Sequence, residues 1–203
     1  MTKEKKYRLS FTAASLRLAE MSNLAKSYLE HDSDGAIVKE QVIRGRNSRT
    51  TDREFREINW RIKKLTDPQL EILAYGDVIA QQQVALLSIC KLYAFIRDFV
   101  VEVLRNKVLV FDYHLTEGEY ITFYKRKSEA HPELEELADT TSKKIKQVTY
   151  KMLEQTGLID NVDSKNIVPQ IVDSRVFHAV VDDHPEWLKI YLLSDLDIAG
   201  RIQ

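Results

Sequence analysis

Residues Thr140–Ile159 read TTSKKIKQVTYKMLEQTGLI. Hydroxyl residues at its start offer caps for helix amides that would otherwise lack partners. Ile145, Val148, Thr149, Met152 and Leu153 recur at steps of three and four, so they share one face. Lys143, Gln147, Tyr150 and Lys151 fall on the other. From Thr140 to Lys151 there are four lysines (Lys143, Lys144, Lys146, Lys151) and no acidic residue. Gly157 ends the helix, because glycine takes the left-handed conformation just past a helix end without steric cost. A helix packed on one side and cationic on the other suits a nucleic-acid groove. A solvated surface helix shows the same charge pattern.

Upstream, His131-Pro132 opens a short helix, HPELEELA. Before it, Thr116 and Glu119 make a capping box. Tyr120, Phe123 and Tyr124 bury one side of the helix that follows, which ends in Lys125-Arg126-Lys127. Lys107–Leu115, KVLVFDYHL, is β-branched and aromatic: a short strand or an extended connection. Downstream of Gly157 come apolar Leu158 and Ile159, a polar loop from Asp160 to Asn166, and Ile167-Val168-Pro169. Cationic helix, glycine stop, loop and short apolar segment is the order of a winged helix. The wing would carry Lys165, but Asp160 and Asp163 make it a poor phosphate reader. Asp173–Val181 and Pro185–Leu193 read as closing helices, and the tail DLDIAGRIQ as loosely ordered.

The N-terminal part has a related plan. Ser10–Glu30 reads as one helix with Phe11, Ala14, Leu18, Met21, Leu24 and Tyr28 on its stripe. Asp32–Gly35, DSDG, is a turn, and a second helix runs from about Ala36 to near Gly45. After the polar linker GRNSRTT, a third helix runs from about Asp52 to Leu65. Phe55, Ile58, Ile62 and Leu65 are its buried stripe; Arg53, Glu57, Trp60 and Lys64 project the other way, with Arg56 and Arg61 at the flanks. Eight basic residues stand against three acidic ones between Arg44 and Lys64, an excess of five. Two short helices on a tight linker, the second one basic, form a helix-turn-helix pattern. Trp60 reads as packing on a neighbouring helix, with stacking on a base or partner as the alternative. Thr66-Asp67-Pro68 starts a short helix ending at Gly76. Asp77 then caps the longest helix, running to about Asn106 and apolar over most of its girth, as a core spine should be. Cys90 lies within that apolar band and reads as structural.

The pattern is mainly α: two helix-turn-helix-like units, the C-terminal one in winged order, around a long central helix. We divide it at 1–76, 77–115 and 116–203. The net charge of −1 means that attraction to phosphate must come from local patches. A single cysteine allows no internal disulfide and fits a reducing compartment, hence a cytoplasmic location. MTKEKKYRLS lacks the apolar core of a secretory signal. The most hydrophobic run, Val84–Leu104, is broken by Lys91, Arg97 and Asp98, which argues against a membrane span.

No GxxxxGK[ST], Rossmann glycine fingerprint, CxxC, HExxH or GxSxG is present. Neither a cofactor nor a metal is expected, and one cysteine cannot build a thiolate-rich zinc site. Asp182-Asp183-His184 reads as a helix-start cluster before Pro185 rather than as metal ligands.

LSFTAASL (Leu9–Leu16), AFIRDFVVEVL (Ala94–Leu104) and HPELEELADTTSKKIKQVTYKMLEQTGLI (His131–Ile159) resemble the BrxA family of bacteriophage-exclusion (BREX) systems, in the same order over nearly the whole chain. The resemblance implies a helical, double-stranded-DNA-binding component of a phage-defence island. It would act beside an adenine-specific DNA methyltransferase, a large ATPase and a phosphatase-like protein. It assigns no contact residues; those come from charge and periodicity. Arg46, Arg49, Arg53, Arg56, Lys143, Lys144, Lys146 and Lys151 are the expected phosphate contacts, and Asn47 and Gln147 reach towards base edges. No catalytic residue is expected, and a monomer is favoured. The rival reading is an adaptor that docks the methyltransferase or the ATPase, with Trp60 or Tyr191 as anchors; an enzyme with a scattered site is a third.

Overall fold

The computed structural model describes residues 6–31 and 48–202. The predicted DSDG turn, the helix from Ala36, and Arg46 and Asn47 lie outside these residues. The described chain is mainly helical, as the periodicity predicts. Its apolar core runs from Tyr7 to Ile198 and draws on all three predicted segments.

The predicted first helix is interrupted. A 3-10 turn, Ser10–Ala13, gives way to extended backbone at Ala14 (φ −147°, ψ 127°). Arg17 then turns the chain at φ 58°, and α1 is Leu18–His31. The cause lies on the next described helix, α2, Ser48–Ile62. The fully buried Arg61 guanidinium donates to the carbonyls of Ala14 (2.7 Å), Ser15 (2.7 Å) and Leu16 (3.2 Å). A continuous helix would have used those acceptors internally. Arg61 is therefore not at a solvent flank of α2, and Glu57, predicted to project outward, is buried beside it. The Tyr93 hydroxyl accepts from Arg61 Nε (3.2 Å) and donates to Glu57 Oε2 (2.6 Å).

The short α3, Asp67–Tyr75, carries Pro68 in its first turn. Gly76 follows it, where a Cβ would lie 2.5 Å from the Ile72 carbonyl oxygen. Asp77 caps α4, Val78–Leu92, accepting from the Ala80 amide at 3.0 Å. Every residue from Gln83 to Cys90 is buried, and α4 packs against α1, α2 and α3. This is the expected spine, but it breaks at Tyr93 (φ −116°, ψ 91°) instead of running on to Asn106. The break turns Tyr93 into the Arg61–Glu57 cluster. Beyond it come α5, Ala94–Phe99, a π-helical stretch, Val100–Arg105, and α6, Asn106–Leu109.

Both hydroxyl and carboxylate of the predicted Thr116–Glu119 box are engaged at the start of α7, Glu117–Ala130. A single turn, α8 (Pro132–Glu135), leads to α9, Asp139–Gln155. Residues 113–115, 158–160 and 166–168 make an antiparallel ribbon of isolated bridges. Leu115 N donates to Lys165 O (3.1 Å) and Ile167 N to Tyr113 O (2.6 Å); Asp160 N donates to Asn166 O (3.0 Å) and Val168 N to Leu158 O (2.9 Å). Asp173 caps α10, Ser174–Val181. A 3-10 helix, Pro185–Tyr191, replaces the predicted second closing helix, and the tail is helical as α11, Asp195–Ile202.

The N-terminal segment straps distant elements together. Tyr7 donates through its amide to Glu133 (2.7 Å) and through its hydroxyl to Asp98 (2.7 Å), and its ring stacks on His131 at 3.7 Å. The Leu16 amide donates to the side chain of Gln155, at the end of α9, at 2.9 Å.

Candidate nucleic-acid interface

Helix α9 keeps the predicted division of faces with two changes. Ile145, Val148, Thr149, Met152 and Leu153 are buried, as their spacing demands. Tyr150, predicted on the cationic face, is buried too. Its ring lies 5.7 Å from Tyr120, within an aromatic cluster where Phe99 and Phe123 pack at 5.0 Å. Phe99 meets both Tyr120 and Tyr150 edge-to-face, the preferred arrangement, and so fixes α9 on α7 and α5. The N-terminal hydroxyls do not cap α9; the Thr141 and Ser142 amides donate to the Ala138 carbonyl (2.8 and 3.0 Å).

Lys143, Lys144, Gln147 and Lys151 are exposed, and Lys146 is half-buried. Lys144 reaches Gln147 at 3.3 Å, Lys146 pairs with Glu117 at 2.5 Å, and Lys151 pairs with Glu154. Exposed pairs of this kind contribute only about 0.2–1 kcal/mol, so phosphate can displace them. The Lys146 contact is the main reason that the Glu117 carboxyl titrates below its ordinary range.

Lys144, Lys146, Gln147 and Lys151 line one wall of a cleft of about 660 Å³. The opposite wall is the N-terminal segment, from Thr12 to Arg17, with Glu54 of α2. Lys143 faces away, into a smaller apolar recess with Tyr120 and Tyr124. Arg17 and Lys165 also line the cleft, which makes five cations against two carboxylates, Glu54 and Glu117. Sequence reasoning misses Arg17, which falls inside the predicted first helix, and sets Lys165 aside because its loop is acidic. Asp160 explains that acidity: its carboxylate accepts from Ser164 and Asn166 side chains at 2.8 Å and ties the loop 160–166 to itself. These bonds, Ser164 first, hold it at about 2.

The N-terminal candidates behave differently. Arg49, Arg53 and Arg56 are exposed on α2, but none lines the cleft. The inward turn of Glu54 and Glu57 removes two of the three acids that opposed them. Trp60 is gripped by cations: the Arg8 guanidinium lies 3.6 Å and that of Arg56 5.5 Å from its ring. The structure thus gathers Lys144, Lys146, Gln147 and Lys151 of α9, and leaves Lys143 outside the cleft and the α2 arginines as a separate basic face.

Other candidates are absorbed by packing. Asp183 pairs with Lys91 at 2.5 Å and accepts from Gln69 at 3.2 Å, which ties this carboxylate of the Asp182–His184 cluster to α3 and α4. Burial pushes the Cys90 thiol far up, away from thiolate chemistry. Among the described residues no helix is long and apolar enough to cross a membrane.

Fold and cleft define a class: a helical protein presenting a lysine-faced helix beside a small antiparallel ribbon. The BrxA family profile matches residues 5–183, and the chain belongs to that family. The resemblance read from Leu9–Leu16, Ala94–Leu104 and His131–Ile159 is thereby borne out. The BREX protein BrxA of Bacillus cereus (strain H3081.97) is 22% identical over 165 residues, covering 79% of this chain and 82% of the relative. The crystal structure of an uncharacterized protein from Magnetospirillum magneticum superposes with a TM-score of 0.78 at 16% identity, over 93% of this chain and 98% of that one. At that identity the likeness is one of fold.

Proposed function

We propose that the chain is a non-catalytic, double-stranded-DNA-binding component of a BREX phage-defence system, acting in the cytoplasm beside the system's methyltransferase, ATPase and phosphatase-like protein. Family membership and the BREX name of the Bacillus cereus relative support the system. The observation that carries DNA binding is α9, seated on its apolar face with Lys143, Lys144, Gln147 and Lys151 turned to solvent. The order of the ribbon around it (113–115, then α7 and α9, then 158–160 and 166–168) supports a winged helix. The Asp160 carboxylate of the wing is occupied by the wing's own amides, so α9 is the reading element.

Phosphate contacts give affinity without sequence preference and make binding steeply salt-dependent. In fluorescence anisotropy with a duplex, Lys143→Ala/Lys144→Ala/Lys151→Ala lowers the log–log salt slope by roughly 0.9 for each phosphate no longer neutralised. An unchanged slope rules out α9 as the contact surface. Arg49→Ala/Arg53→Ala/Arg56→Ala asks the same of α2.

A second reading, an adaptor for another BREX component, is favoured by the turn after α6. There Val110 is 70% and Phe111 82% exposed, an apolar knuckle of the kind that anchors interfaces. Phe111→Ser that abolishes co-purification with a BREX partner while DNA affinity is unchanged supports this role alongside the first.

A further inference from the structure

Two features of the cleft lie beyond the α9 reading. Arg17 (φ 58°) and Lys165 (φ 53°) are two of four non-glycine residues with positive φ among the described residues. Such backbone persists only where the surroundings over-determine it, and it clusters at ligand sites. Both residues line the same cleft, Arg17 from the N-terminal segment and Lys165 from the loop 160–166. Beneath them Tyr150 is 4% exposed, and its hydroxyl has no hydrogen-bond partner.

The cleft's carboxylates already hold these cations. Arg17 reaches Glu54 at 2.5 Å; Lys146 and Lys165 converge on Glu117 at 2.5 and 3.5 Å. Glu54 is buried, so Arg17 is anchored. The side chain of Glu117 is 48% exposed and faces two lysines at once, one on each oxygen.

We infer that this cleft seats a phosphate of the bound DNA strand between Arg17, Lys146 and Lys165, and that Glu117 is an internal competitor for the seat. This rests on the DNA-binding reading and assigns it a second wall and a built-in brake. A backbone phosphodiester offers the same two anionic oxygens as the carboxylate, and counterion release from the duplex tips the exchange, so it takes both lysines from Glu117 while Arg17 stays oriented by Glu54. The brake sets affinity low enough for the protein to leave one site for another.

The test is a salt series of duplex binding by the full chain, with far-UV circular dichroism confirming the fold of each variant. Glu117→Gln tightens binding about two- to fivefold, the size of one exposed ion pair released. Lys165→Ala weakens binding and lowers the slope by roughly 0.9. Lys143→Ala, outside the cleft, reports on α9 alone. If Lys143→Ala weakens binding while Glu117→Gln and Lys165→Ala leave it unchanged, the cleft assignment is overturned and the DNA-binding reading stands. If no lysine variant alters binding, both fall. Inorganic tripolyphosphate separates a strand from a free phosphate ligand. If it raises the melting temperature of the native chain but not of Lys165→Ala, while that variant binds duplex normally, the seat belongs to a small anion and the strand assignment is wrong.

Discussion

Arg61→Ala tests how the N-terminal strap is held. The side chain is fully buried and donates four hydrogen bonds, three to carbonyls of 14–16 and one to Tyr93. Its removal orphans those acceptors and leaves Glu57 buried without the cation that balances it through the Tyr93 hydroxyl. Breaking a buried charge partnership costs about 3–5 kcal/mol, and at this chain length each kcal/mol moves the melting temperature by roughly 2–4 °C. The expected fall is therefore about 6–20 °C by thermal circular dichroism. Arg61→Lys keeps the charge but cannot fork to three carbonyls, so it falls in between. Arg17 leaves the same segment, so the surviving folded fraction of Arg61→Ala also loses salt slope in DNA binding. A drop below about 3 °C means that the carbonyls find other donors, and the account of the broken first helix is wrong.

Gly157, at φ 75°, has open space around its missing Cβ, so Gly157→Ala is purely a backbone test: about 1–2 kcal/mol lost in urea denaturation. Gly76→Ala costs about 1–3 kcal/mol for the opposite reason, overlap with the Ile72 carbonyl. The Asp160 carboxyl titrates at about 2 against an ordinary 3.8. Its contribution to stability is complete above 3.8 and lost as pH falls towards 2. Carboxyl NMR shifts place the midpoint, and Ser164→Ala raises it; a native midpoint near 3.8 shows the loop is not tied as described.

What can be read from residues alone follows a physical division. Caps and apolar stripes are local, so the Asp77 cap, the Thr116 box, the Gly157 stop and the buried face of α9 are legible in the residues. The inner face of α2 is not. Glu54, Glu57 and Arg61 sit at helical spacing with Ile58 and Ile62, but periodicity counts a charged residue as solvent-facing unless its buried partner is known. Those partners lie far off in sequence, at Arg17, Ser10 and Tyr93. The break at Tyr93 has no glycine or proline to announce it. The left-handed backbone at Arg17 and Lys165 escapes for the same reason: neither is a residue type that favours it. Charges of both signs, Glu54, Glu57 and Arg61, in register with Ile58 and Ile62 are the signal that points to the Arg61 cluster.

The strap has a consequence for how the protein is made. Tyr7 and Leu16 leave the ribosome first, but their partners Glu133 and Gln155 follow 126 and 139 residues later. At typical elongation rates that is roughly 7–30 s of waiting. During it the amides of the strap have only water as partner, and a chain interrupted before α9 has nothing to fasten the strap to. Closure is thus a late step of synthesis: the strap fastens only once α9 has emerged, 139 residues behind Leu16.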